Sequence, residues 1–270
     1  MTTKPSIDEL KEQVAMSSRI IAVRGVTRGS FGHVSARIPG TDQILIKAKG
    51  PDQEALEFAE PKDVITIDIE GGVIEAPEGL QPPNETAMHL AVYRARPEVM
   101  SVIHSHPDWV VVLTACDLPI KTIYGAYDPT GMRMSAKGIP IYPRAVTIID
   151  DELGEDFMRT MGDQDVCFLR GHGMTTAGRS VQDCTSRTLT ARARADELPR
   201  LRGRRPQADR RRGHRGVRPA PVRRQPPPAW GEQHRRVVVL AVQSEAARPI
   251  PWLTRSAGAR LSGARWSRWT

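Results

Sequence analysis

The stretch Val99-Met100-Ser101-Val102-Ile103-His104-Ser105-His106-Pro107 decides how this chain reads. The apolar, β-branched run from Val99 to Ile103 predicts a buried strand, and Pro107 opens the helix that follows. Side chains two positions apart in a strand point the same way, so His104 and His106 leave the strand end together. Two imidazoles on one side are half of a metal site. A third stands downstream in Leu169-Arg170-Gly171-His172-Gly173, again where a strand ends. Upstream, Pro82-Pro83-Asn84-Glu85 offers a carboxylate that can act as acid or base. Three histidines and a carboxylate make a catalytic shell with open positions, suited to Zn, Mn, Fe or Co.

Working outward toward the N-terminus, Ser6-Ile7-Asp8-Glu9 has the spacing of a capping box. Leu10, Val14, Ile20, Ile21 and Val23 extend a helical stripe, which Gly25 ends. Gly29 and Gly32 frame a tight turn in Arg28-Gly29-Ser30-Phe31-Gly32-His33, where backbone can approach a ligand. Alternating segments at His33–Ile38, Gln43–Lys47 and Val64–Asp68, then Val73-Ile74-Glu75, predict a β-meander. Asn84 is placed to cap a helix whose apolar face holds Met88, Leu90, Ala91 and Val92. Beyond His106, a short helix at Val110–Ala115 leads into loop-rich residues 116–145. Ile139–Tyr142 reads as a short strand, Asp151–Met161 as a helix, Asp165–Leu169 as a buried strand and Ser180–Leu189 as the start of a last helix. This order predicts an α/β layered domain around a central, mostly antiparallel sheet.

The formal net charge of +8 hides a seam. Residues 1–190 carry an acidic excess, whereas residues 191–270 hold Arg but no Lys and all of the basic excess. The expected division is a catalytic domain over 1–190 and an Arg/Pro-rich tail over 191–270. Phe and Tyr vanish from the tail, and four of the five Trp residues gather there. Only Val237–Val242 resembles a strand. An arm that binds polyanions, a solvated disordered tail and an out-of-frame translation of GC-rich coding DNA all produce such a composition. The third fits best, because Lys, Phe and Tyr are lost together. The acidic domain gives no reason to expect nucleic acid as partner. The three cysteines have no metal-like spacing and suit a reducing compartment, and no apolar run behind Met1 forms a leader or spans a membrane. A cytoplasmic location is expected.

Gly32-His33-Val34-Ser35-Ala36-Arg37, Pro83-Asn84-Glu85-Thr86-Ala87-Met88-His89, His104-Ser105-His106-Pro107 and Arg170-Gly171-His172-Gly173-Met174 together resemble the class II aldolase/adducin family over about residues 6–190. The resemblance implies a three-layer α/β/α domain and a homotetramer with sites between subunits. It implies His104, His106 and His172 as ligands of a divalent metal and Glu85 as acid/base, with His89 in a supporting role. Sugar-phosphate members carry a phosphate cradle built from an Asn after the first loop glycine, a Thr/Ser-Gly loop and a Ser-Ser pair. Here His33, Lys47-Ala48-Lys49-Gly50 and Pro83-Asn84 stand at those places. His33, Lys47 or Lys49 around Gly50, and Arg28 suit carboxylate groups instead. The expectation is therefore the family's branch that decarboxylates dihydroxylated aromatic acids, with proton delivery by Glu85 or His33. The alternative is an aldolase or epimerase acting on a small hydroxy-aldehyde or sugar phosphate.

Overall fold

The computed structural model describes residues 4–51, 55–118, 120–124 and 126–202. The tail beyond residue 202, with the strand read at 237–242, lies outside the described residues. In chain order the elements are α1 (Ile7–Val23), β1 (His33–Arg37), β2 (Gln43–Lys47), β3 (Val64–Asp68), β4 (Val73–Glu75), α2 (Thr86–Ala95) and β5 (Ser101–Ser105). They continue with α3 (Asp108–Ala115), α4 (Pro129–Ser135), β6 (Ile141–Tyr142), α5 (Asp151–Met161), β7 (Val166–Leu169), β8 (Gly173–Gly178) and α6 (Val181–Arg202).

The strands form one sheet in the order β4-β3-β2-β1-β5-β8-β7-β6. Every pairing is antiparallel except β6 with β7. Alternation along the strands divides the apolar side chains between two faces. Val34, Leu45, Ile103 and Met174 pack with Val14, Ile21, Val110 and Ala191, on the side of α1, α3 and α6. Ile46, Ile65, Val102 and Ala177 pack with Met88, Val92 and Phe157, on the side of α2 and α5. The result is the expected α/β arrangement, a mixed sheet flanked by helices. Each fully buried aliphatic side chain contributes about 1.5–3 kcal/mol by leaving water.

Local signals explain most boundaries. The Ser6 hydroxyl accepts from the Glu9 amide (3.2 Å) and Glu9 Oε2 accepts from the Ser6 amide (2.7 Å), completing the capping box of α1. Gly25, at φ 65°, follows its last turn. The stripe on α1 is narrower than expected: Leu10, Val14 and Ile21 are buried, but Ile20 and Val23 face outward. The cap of α2 also differs. Glu85 occupies the N-cap position, and the Asn84 side chain accepts a hydrogen bond from Lys49 instead.

Two elements escaped the sequence pattern. Pro129–Ser135 folds as a helix within residues expected to be loop, started by Asp128, whose carboxylate accepts from the Gly131 amide at 2.9 Å. β8 was unread because Gly173-Met174-Thr175-Thr176-Ala177-Gly178 has a glycine at each end and little hydrophobicity. Helix α6 continues through the composition break at residue 190. Ala191 and Ala195 are fully buried, and Arg194 is buried in an ion pair with Asp128 at 2.7 Å.

Candidate active site

The middle of the sheet builds the site. β5 lies between β1 and β8, and the registers set His33 opposite His104 and His104 opposite Thr175. These residues therefore sit side by side on the face that α2 covers. Both neighbours of β5 approach its end through glycine. At Gly32, φ is 92° and a Cβ would lie 2.9 Å from the His104 carbonyl oxygen; at Gly173 a Cβ would collide with the Ser105 carbonyl.

His104, His106, His172 and Glu85 converge as the spacing suggested. One ligand atom from each lies within 4.8 Å of the others. The Nε2 atoms of His104 and His106 are 2.7 Å apart. Glu85 Oε2 lies 3.3 Å from His104 Nε2 and 3.4 Å from His172 Nε2, while Oε1 accepts from the Ile148 amide at 3.3 Å. His172 Nδ1 is 3.1 Å from the Val146 carbonyl. A carbonyl only accepts, so the ring proton sits on Nδ1 and the Nε2 lone pair points inward. His104 Nδ1 faces the Thr175 hydroxyl at 3.3 Å, and that hydroxyl lies 2.9 Å from the sulfur of Met88. Lone pairs directed at one another and at a carboxylate repel unless a proton or a cation lies between them. The donor set therefore fits a divalent cation, with ring orientation fixed from behind.

Electrostatics follow from burial and partners. Burial alone would raise Glu85, but hydrogen bonds with His104 and His172 outweigh it and hold the carboxyl well below its usual range. Burial lowers His172, yet Glu85 reverses the sign and its pKa is raised. His106 falls to about 3 through burial and the neighbouring His104 and His172. His33 is lowered well below its ordinary value, by burial first and then by His89 and His104.

Above these groups lies a cavity of about 570 Å³. His33, Lys47, Lys49, Gly50, Glu85, His106 and His172 all line it, with Phe31 and Leu80 as apolar walls. The Lys47 ammonium donates to the Ala48 carbonyl at 2.8 Å. Arg28 is not brought to this cavity; its exposed guanidinium pairs with Asp108 at the start of α3. Lys62 does line it and went unread, because it follows Glu60-Pro61 in a segment with no site-like pattern.

His89 is completely buried, with its Nε2 2.7 Å from His33 Nδ1 and its Nδ1 2.7 Å from Ser35 Oγ. Ser35 Oγ also lies 2.8 Å from the Tyr93 hydroxyl. Ser35 and Tyr93 were not anticipated. The available signal was the spacing: Glu85, His89 and Tyr93 recur every four residues along α2, and Ser35 is two positions from His33 on one strand face.

The chain is similar to several known proteins. A 3,4-dihydroxyphthalate decarboxylase of Terrabacter sp. is 39% identical over 194 residues, covering 71% of this chain and 79% of the relative. Another of that name, from Arthrobacter keyseri, is 36% identical over 183 residues, or 67% and 73% of the two chains. The crystal structure of an aldolase II superfamily protein from Pseudomonas syringae superimposes with a TM-score of 0.65 at 21% identity, covering 74% of this chain and 78% of that one. The family model described as "Class II Aldolase and Adducin N-terminal domain" matches residues 12–196, and the chain belongs to that family.

Proposed function

We propose that this chain is a divalent-metal-dependent carboxy-lyase acting on a dihydroxylated aromatic acid of the 3,4-dihydroxyphthalate kind. The observation that carries the reading is the cluster of three imidazoles and Glu85 under a cavity with lysines in its wall. The names of the relatives at 36% and 39% identity support the same class of reaction. His104, His106 and His172 would hold the cation, with Glu85 as a fourth donor. A divalent cation bound there supplies Lewis acidity toward paired ring oxygens and draws off the charge left by CO2 loss.

The chain's own groups do the rest. Lys47 and Lys49 attract the substrate carboxylates and hold the ring against Phe31 and Leu80. Glu85, as a fourth donor to the cation, enters as a carboxylate and so has no proton to supply. His33 enters neutral and is the better proton carrier. Its free nitrogen takes the proton of a ring hydroxyl as the O–H bond breaks. The bond between ring and carboxylate then breaks, and its electron pair stays on the ring carbon while CO2 leaves. His33 returns the proton to that carbon, and the ring oxygen recovers one from solvent. The buried floor limits stray protonation from water.

A homotetramer accords with the outward Met16, Ile20 and Val23 on α1, and light scattering on the purified chain measures it. A cytoplasmic location accords with Cys116, Cys167 and Cys184, all free thiols. Among the described residues no helix is long and apolar enough to cross a membrane.

Incubating the chain, loaded in turn with Zn, Mn, Fe and Co, with 3,4-dihydroxyphthalate and with sugar phosphates tests the function. CO2 released without O2 uptake is expected. Retro-aldol or epimer products from a sugar phosphate, with no CO2, would establish the aldolase or epimerase alternative instead.

A further inference from the structure

The polar groups behind His33 form one continuous buried line. It runs from His33 through His89 to Ser35, where it meets the Tyr93 hydroxyl and the Val102 carbonyl. Ser35 and His89 are fully buried, Tyr93 is 1% exposed, and His33 is 8% exposed where it reaches the cavity. No water-facing group interrupts the line. Each proton in it is therefore constrained by the next.

Counting protons orders the line. The Val102 carbonyl can only accept, and Ser35 Oγ donates to it at 3.2 Å. A serine hydroxyl has one proton and two lone pairs. With its proton given to Val102, Ser35 must accept from both other neighbours. Tyr93 suits that role, because burial pushes its phenol up and keeps it protonated. His89 must then carry its proton on Nδ1. His89 is fully buried, and burial disfavours its charged form and lowers its pKa, so the ring is neutral and has no second proton. Its Nε2 is consequently an acceptor, and among the described residues its hydrogen-bond partner is His33 Nδ1 at 2.7 Å, which must then donate. The opposite order, with Ser35 donating to His89, loses the bond to Val102 and makes one fewer hydrogen bond in a buried place.

We infer that His89, Ser35 and the Val102 carbonyl are a proton-ordering line that fixes His33 as its Nδ1–H tautomer, so that the Nε2 facing the cavity is a bare lone pair. This rests on the reading of His33 as the proton carrier and deepens it. A bare Nε2 accepts from a ring hydroxyl, whereas an Nε2–H would meet that hydroxyl as a second donor. His89 and Ser35 are positioning residues, since neither lines the cavity. The line also offers specificity, because a hydroxyl of the substrate is the group that completes it. An aromatic acid without a hydroxyl at that place leaves the Nε2 lone pair unsatisfied.

Nitrogen NMR of the full chain, labelled at histidine with 15N and loaded with diamagnetic Zn, tests this without substrate. Inactivity toward dihydroxyphthalate would thus defeat the proposed reaction while leaving the tautomer reading intact. His33 is expected to show a protonated Nδ1 and a bare Nε2. Ser35→Ala removes the acceptor for His89 Nδ1–H and is expected to shift His33 toward the other tautomer, with kcat falling about 10- to 100-fold at little change in KM. Tyr93→Phe keeps the Ser35–Val102 bond and is expected to keep the wild-type tautomer. A wild-type His33 with its proton on Nε2, or a tautomer that survives Ser35→Ala, overturns the inference. Should Ser35→Ala not fold, the wild-type spectrum alone decides.

Discussion

His172 and His89 are both imidazoles withdrawn from water within one site, yet they respond in opposite ways. Burial lowers both. At His172 the Glu85 carboxylate, 3.4 Å away, more than restores the loss, and the pKa is raised. Among the described residues His89 has His33 and the Ser35 hydroxyl within hydrogen-bond reach, and it drops to about 3. The site thus divides by what its imidazoles lean on. Those on the carboxylate form a place where positive charge is stabilised. The pair ending on hydroxyl and carbonyl groups is a place where charge is refused and only the position of a neutral proton is controlled.

Breaking the cluster of His104, His106, His172 and Glu85 should have the largest effect. His106→Ala is expected to abolish binding of a divalent cation and lower kcat at least about 10³-fold, several kcal/mol of transition-state stabilisation, while circular dichroism shows an intact fold. Undiminished metal content in that variant would remove His106 from the ligands. His33→Asn strikes the neutral pair. It should keep the metal, measured by elemental analysis, and lose about 10²-fold in kcat, the scale of one proton-transfer group. Loss of metal there would erase the division.

A pH titration sharpens the contrast through stability. Burial lowers His89 to about 3 in the folded chain, against the ordinary 6.5 of an unfolded one. The unfolded chain therefore takes the proton first. The contribution of His89 is complete above pH 6.5 and is lost as pH falls toward 3, by up to about 1.4 kcal/mol per pH unit. Urea midpoints at pH 7 and pH 5, in the presence of a chelator, should separate, and His89→Gln should show a flatter slope. Equal slopes would mean that His89 gains its proton without cost. The smallest change belongs to the cavity wall. Lys49→Ala should raise KM about fivefold with kcat little altered, as suits a partly exposed charge on an anionic substrate.

Much of this site was legible because its signals are local. His104 and His106 stand at the end of an apolar strand at the spacing that sends both side chains one way, and His172 sits in the turn after a second such strand. The meander was equally readable from its alternation and turns. What stayed hidden depended on pairing between distant segments. β8 has weak intrinsic preference for a strand and exists because β5 and β7 flank it. Ser35 and Tyr93 look like ordinary strand and helix residues until the packing of α2 on β1 brings Ser35 Oγ to both His89 and Tyr93. The cap of α2 misled for a physical reason. Asn84 is the better capping residue by type, but Glu85 takes the cap position with its side chain turned to the imidazoles.

The central position of β5 also bears on how the chain is made. Synthesis runs from the N-terminus, so β1 is present to pair with one edge of β5 as soon as Ser101–Ser105 emerges. The other edge waits for Gly173–Gly178. During that interval an apolar strand presents unpaired amides and carbonyls, the kind of surface that invites pairing with other chains. The strand that carries His104 and leads into His106 is thus the one whose second partner arrives late, and a ribosome stalled before residue 173 would expose it.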